Sequence, residues 1–243
     1  MGQEGESESI VCFKDVVHDY GSVRALHGVT FQVPKGSIFG MIGPNGSGKS
    51  TCLNLLTCLL TPSSGTIRVF GQPTTGETMF ILARLGYAPE EAHLYTGLSA
   101  AEYVTLSAVL HGMEEQAAEA QANQILATFG LGDRRDDLVG GFSKGMKRKV
   151  LLAATLVHDP QLMVLDEPLD GLDVIAQGIL KHEIRRRTAA GATVIYSTHI
   201  LEVLEGLCSH LVLIAEGRML AVGTPQAVRQ TLGIHDYAEA FRS

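Results

Sequence analysis

Two periods run through the apolar positions of this chain, and the switches between them outline its elements. Residues 10–20, IVCFKDVVHDY, alternate in part with period two and stop at Gly21, which predicts a strand. VTFQV and SIFGMIG predict two more strands, separated by a Pro34-Lys35-Gly36 turn. From Lys49 the period lengthens: Leu53, Leu56 and Leu60 recur at helical spacing until TPSSG ends the helix, and GTIRVFGQ returns to a short strand. Between about residues 92 and 160 the pattern is helical, with the alanine-rich segments SAAEYVTLSAVLHG and EEQAAEAQANQILATFG each closed by glycine. QLMVLDEP and ATVIYSTH are continuous apolar runs of the buried parallel-strand kind, and DVIAQGILKHEIRRRTAAG between them reads as a helix ended by Gly191. HLVLIAEGRMLAVG predicts a hairpin turning at Glu216-Gly217, followed by a helix with Thr224 as N-cap and Pro225 at its first position. Helices alternating with apolar strands predict an α/β fold whose parallel sheet is covered on both faces.

The chain has 243 residues, 45% of them hydrophobic, enough for one sizeable domain with its own core. With 19 basic against 26 acidic residues and a net charge of -7, non-specific nucleic-acid binding is disfavoured and no nucleic-acid partner is expected. Cys12, Cys52, Cys58 and Cys208 show no CxxC spacing and read as reduced thiols, which favours the cytosol. The opening MGQEGESES is acidic and polar, unlike a secretory signal, and Glu6 stands where myristoylation requires Ser or Thr. Ser50 to Ile67 is the longest uncharged stretch after the lysine, and its Pro62, Gly65 and hydroxyls disqualify it as a membrane span. The expected organisation is a disordered tail at residues 1–9 and a single domain over 10–243, with a helical subdomain at about 92–160.

The chemistry starts at Gly43-Pro44-Asn45-Gly46-Ser47-Gly48-Lys49-Ser50-Thr51, which fits G-x-x-x-x-G-K-[ST] between a predicted strand and a predicted helix. Bare backbone there lets N–H groups converge on an anion. In that geometry the loop amides and helix N-terminus hold a β-phosphate, Lys49 reaches the β- and γ-phosphates, and the Ser50 hydroxyl ligates Mg²⁺. Downstream, LMVLDEP ends a predicted central strand in two carboxylates. Asp166 would hold Mg²⁺, directly or through water, and Glu167 would polarise an attacking water. A strand ending in two acids is by itself usually a solvated terminus, and the lysine loop is what gives the pair its meaning. Glu90, Glu91 and His93 lack a further ligand at zinc spacing, and KHEIRRR reads as a solvated helix face.

With these motifs in order, the chain from about Ile10 to about Gln230 resembles the nucleotide-binding subunit of an ABC transporter. The resemblance implies a phosphate-loop NTPase core with a mostly parallel sheet, an antiparallel β subdomain and an α-helical insertion, with ATP and Mg²⁺ as its ligands. Tyr20 occupies the place of the family's adenine-stacking aromatic. GFSKGMKRK stands at the family's signature sequence: Ser143 and Gly145 match it, while Lys144 and Met146 replace the usual Gly and Gln. The resemblance assigns Ser143, Lys144 and Gly145 to the γ-phosphate of ATP held by a second subunit of a head-to-tail dimer. It gives Asp173, closing DGLD, a place in the dimer-contact loop beside the nucleotide, and makes His199 the switch histidine on the γ-phosphate. Glu90, after LGYAP, stands where the family usually carries a glutamine that reaches Mg²⁺ and the membrane subunit. Glu90 together with an FSKGM-type signature resembles the exporter-like branch that serves drugs, polysaccharides, lipids or sodium. The expected partners are a separate integral membrane permease and a second nucleotide-binding subunit, with identical chains favoured, on the cytoplasmic face of the cell membrane. The rival reading is a soluble ABC-type ATPase of translation, repair or cofactor assembly. A single cassette, the lack of a coiled-coil insertion and the acidic balance stand against it.

Overall fold

In the computed structural model, which describes residues 9–91, 93–199 and 206–233, the central apolar strands sort their side chains to two faces as a pleated strand must. Strand β3 (Ile38–Ile42) sends Ile38 and Ile42 into one core and Phe39 and Met41 into the other. In β7 (Leu162–Asp166) Met163 and Leu165 face the first core, Leu162 and Val164 the second; Val194 and Tyr196 against Ile195 repeat the division in β8 (Thr193–Thr198). Two hydrophobic layers clasp one sheet, and the predicted two-sided cover is observed.

The sheet has six strands in the order β10-β9-β3-β8-β7-β6, where β6 is Leu85–Ala88, β9 His210–Ala215 and β10 Arg218–Gly223. All neighbours are parallel except the β9–β10 hairpin. A second, antiparallel sheet in the order β2-β1-β4-β5 is built from β1 (Ser9–Tyr20), β2 (Val23–Pro34), β4 (Ser64–Val69) and β5 (Gln72–Pro73). Phe13, Phe31 and Phe39 stack in succession between the two sheets, with centroids 4.5 and 5.7 Å apart. Helix α1 (Lys49–Leu56) fills the same layer through Cys52, Leu53, Leu55 and Leu56.

A short α2 (Met79–Leu82), which precedes β6, adds Ile81 to that layer. The other face carries the longer helices: α3 (Ala100–Leu110), α4 (Glu115–Thr128) and α5 (Lys144–Leu156) form the insertion between β6 and β7. Ser99 and Glu102 close a reciprocal capping box at the start of α3, with bonds of 3.2 and 2.8 Å. Helix α6 (Val174–Ala189) links β7 to β8, and α7 (Pro225–Leu232) follows β10, capped by Thr224 with Pro225 at its first position as expected.

Some boundaries differ from the pattern. Ser9, assigned to the tail, opens β1 opposite Pro34, and the rest of that tail lies outside the described residues. Helix α1 stops at Leu56, short of the expected Leu60, because Cys58 turns into the left-handed region at φ +62°. β2 begins at Val23, earlier than its apolar run suggests, because β1 pairs along the polar stretch. β6 is not predicted at all: four residues are too few for a period, and its partner β7 is distant in sequence.

Beyond α5, His158 stacks on His111 with ring centroids 3.7 Å apart. Burial foremost, then the facing His111, pushes the His158 pKa down to about 4, against the upward pull of the hydrogen bond to the Leu85 carbonyl and with a smaller downward push from Arg187. Between pH 6.5 and about 4 the unfolded chain therefore binds more protons at this site than the folded one, so stability falls as pH falls through that window. Urea unfolding of His158→Leu beside wild type should show wild type losing roughly 2–3 kcal/mol more between pH 7 and 4.5; equal losses would contradict it.

Candidate active site

The loop between β3 and α1 is shaped by glycines that have no room for side chains. A Cβ on Gly43 would lie 2.1 Å from the Ile214 carbonyl oxygen, and Gly48 sits at φ +106° with the Leu26 side chain 2.8 Å from where its Cβ would be. The Lys49 side chain, only 6% exposed, bends back so that Nζ donates to the carbonyls of Gly43 (2.7 Å) and Pro44 (3.1 Å). An ammonium has three N–H donors, so one remains for a ligand. Burial pulls the Lys49 pKa down, and the facing carboxylates Glu167, Asp166 and Glu90 pull it back up. The hydroxyl of Ser47 is buried without a hydrogen-bond partner among the described residues. The helical ladder of α1 starts with Cys52 N–H bonding Gly48 O at 3.0 Å, which leaves the amides of Lys49, Ser50 and Thr51 without helical acceptors. Glycine cradle, orphaned hydroxyl, spare ammonium donor and open helix N-terminus together fit a phosphate chain.

Parallel pairing brings the acids to the same edge. β8 runs beside β7 with Asp166 opposite Ser197, so Thr198 and His199 emerge next to Glu167. Ser50 Oγ donates to Asp166 Oδ2 at 3.0 Å. Glu167 takes φ +43°, a left-handed conformation that carries strain in a residue with a side chain. Three donors hold it there: Thr198 Oγ1 to Oε2 (2.8 Å), and His199 N (2.8 Å) and Nδ1 (2.7 Å) to Oε1. Burial raises the Asp166 pKa and the neighbouring Glu167 adds to it, against the Ser50 hydrogen bond and the Lys49 charge. Glu90, just beyond β6, has its pKa raised by partial burial and then by Asp166, Glu167, Asp170 and Glu91. Acids held this close call for a cation, and Ser50, Asp166 and Glu90 offer the oxygen donors that suit a hard divalent one. Among the described residues no group of three His, Cys, Asp or Glu side chains is arranged to hold a metal unaided.

Tyr20, Asn45, Lys49, Glu90, Asp166 and Glu167 line one cleft of about 410 Å³. The Tyr20 hydroxyl lies 3.5 Å from Thr51 Oγ1, and its ring packs edge-on against His18. The cleft opens at the carboxyl ends of the parallel strands, where α/β sheets bind ligands. A roomier cleft of about 660 Å³, with Lys35, Asp159 and Gly191 in its walls, lies at the opposite strand ends and meets none of these groups.

The remaining predicted residues gather elsewhere. Ser143 caps α5, accepting from Met146 N at 3.3 Å. A Cβ on Gly145 would lie 2.7 Å from Gly171 O, and Lys144 packs along Gly171. Asp173 caps α6 through Ala176 N (2.8 Å) and receives Lys149 Nζ at 2.8 Å. Ser143, Lys144, Gly145 and Asp173 thus form a second patch and do not line the cleft. Thr198 and Arg148 are functional neighbours that sequence reasoning missed. Arg148 carried a signal: Leu152 and Leu156 follow it at i+4 and i+8, which places it on the buried face of α5.

Comparison with known proteins bears on the family of the chain. Residues 26–170 match the family model for the ABC transporter. The chain is 37% identical over 216 residues to the Nod factor export ATP-binding protein I of Burkholderia orbicola (strain AU 1054), covering 89% of this chain and 71% of that one. It is 35% identical to the linearmycin resistance ATP-binding protein LnrL of Bacillus subtilis (strain 168), covering 88% and 69%. A solved ATP-binding subunit of an ABC transporter superposes with a TM-score of 0.90 at 32% identity, over 96% of this chain and all of the other. Phosphate cradle, paired carboxylates, fold and relatives agree: the chain belongs to the ABC transporter family, as one of its ATP-binding and ATP-hydrolysing subunits.

Proposed function

We propose that the chain drives export, as a head-to-tail pair of identical subunits docked on the cytoplasmic face of a separate integral membrane permease. The observation that carries the hydrolytic part is the hold on Glu167, a strained residue fixed by Thr198 and His199 beside the Ser50–Asp166 pair. Lys49 and the loop amides bind the phosphates of ATP, and Tyr20 stacks on the adenine. Mg²⁺ held by Ser50 and Asp166, with Glu90 beside them, would neutralise charge across the β- and γ-phosphates. Glu167 accepts a proton-bearing O–H of the attacking water and orients it for in-line attack. His199 gives Nδ1–H to Glu167, so it can donate Nε2–H to a γ-phosphate oxygen only as the imidazolium.

The dimer rests on the second patch. Ser143 at the N-terminus of α5 presents a hydroxyl and helix dipole suited to a phosphate, yet it lies off this chain's own cleft. Beside Asp173, Val174 and Ile175 are 85% and 77% exposed, an apolar edge suited to a protein contact. The direction of transport draws on the names of the relatives, which refer to Nod factor export and linearmycin resistance. No helix among the described residues is long and apolar enough to cross a membrane, which agrees with a pore supplied by another chain.

Glu167→Gln keeps the shape and removes the base, so turnover should fall by about 10²–10⁴ while ATP affinity stays within about threefold. Membranes solubilised in mild detergent from cells carrying this variant, with ATP present, should yield the chain together with a stoichiometric integral membrane protein. Recovery of only ribosomes or soluble machinery would overturn the membrane reading.

A further inference from the structure

The side chain of Arg148 is 6% exposed, and it spends its guanidinium on main chain alone. Nη1 donates to the carbonyls of Pro89 (2.5 Å) and Glu90 (3.2 Å), and Nη2 to those of Asp166 (2.7 Å) and Glu167 (2.9 Å). All four terminal N–H donors are used, while the buried Nε has no partner among the described residues. The four acceptors belong to two loops. β6 and β7 pair as far as Ala88 opposite Leu165, and beyond that point the ladder has ended. The carbonyls that follow need other donors, and one planar fork serves both loops at once.

Two consequences follow for the hydrolytic site. First, the residues so fixed include Glu90, Asp166 and Glu167, which line the cleft, and because Arg148 takes only main-chain carbonyls it does not compete with ligand, water or the donors from Ser50, Thr198 and His199 for their carboxylates. Its charge also faces Asp166, Asp170 and Glu90 and eases their mutual repulsion. Second, Arg148 stands on α5, five residues from the capping Ser143, about 7.5 Å along the helix. A displacement of the N-terminus of α5 therefore reaches the loops of Glu90 and Glu167 through one rigid group.

We infer that Arg148 is a positioning residue for ATP hydrolysis: it ties the helix bearing Ser143 to the loops bearing Glu90 and Glu167, so that the position of that helix sets their alignment. The inference rests on the ATPase reading and adds the route by which the second patch acts on the first. Among the described residues the hydrogen bonds of Arg148 go to Pro89, Glu90, Asp166 and Glu167 and none to Lys49 or the phosphate loop, so its loss should leave nucleotide binding intact.

The test is steady-state hydrolysis of Mg-ATP by the full-length chain as wild type, Arg148→Lys and Arg148→Gln, with melting curves and affinity for a fluorescent ATP analogue. The expected result is kcat lowered by about tenfold or more in both variants with KM and analogue affinity within about threefold. Lysine should fail to rescue, because a point charge cannot bridge four carbonyls. If wild type hydrolyses ATP and either variant matches its kcat, the inference falls while the ATPase reading stands. If both variants lose their folded melting transition, Arg148 is a structural clamp and the inference likewise falls. No turnover by wild type, alone or with its membrane partner, is the separate failure of the ATPase reading.

Discussion

Three carboxylates, Asp166, Glu167 and Glu90, crowd the ends of two neighbouring strands, and burial first, then the neighbouring negative charges, raises the pKa values of Asp166 and Glu90. The arrangement is tenable because cations face it from both sides. Lys49 approaches from the phosphate loop and Arg148 from the helical insertion, each buried and each losing part of its own hydration. Among the described residues neither forms a close ion pair with the acids: both donate to backbone carbonyls, so neither takes a carboxylate oxygen of the cleft. The site is therefore short of positive charge, and a divalent cation bound with a nucleotide would supply it.

The fold places these groups with little freedom. Strand order β3-β8-β7-β6 sets the phosphate loop, the Thr198-His199 pair, the two acids and Glu90 side by side at one edge. Period-two burial on both faces fixes the register of each strand, since a slip of one residue would reverse every side chain in β7. The strain at Glu167 is the local exception, and three donors from the next strand's end maintain it.

Much of this was readable from the residues. Gly43 to Thr51 announces its strand-loop-helix setting through composition, and LMVLDEP announces a buried strand ending in acids, because each depends on contiguous sequence. What resisted reading is what depends on distant partners. β6 is four residues long and defined by pairing with β7. The clamp by Arg148 joins segments 58 and 59 positions away, and the bond from Thr198 to Glu167 spans 31. The resemblance placed Asp173 in a dimer-contact loop beside nucleotide; within one chain it caps α6 and pairs with Lys149, and the proposed role at ATP would lie in a neighbouring subunit's cleft.

The central claim is that hydrolysis needs two chains, one offering its phosphate loop and the other its Ser143. Mixing two inactive variants tests this most directly. Lys49→Met disables the loop; Ser143→Asp preserves the helix cap, since aspartate caps as well as serine, and sets a negative charge against phosphate. Each alone should be inactive, and an equal mixture should recover up to about a quarter of wild-type turnover, from mixed pairs with one intact site. Full activity of Ser143→Asp alone, or no recovery on mixing, would contradict a site shared between two chains.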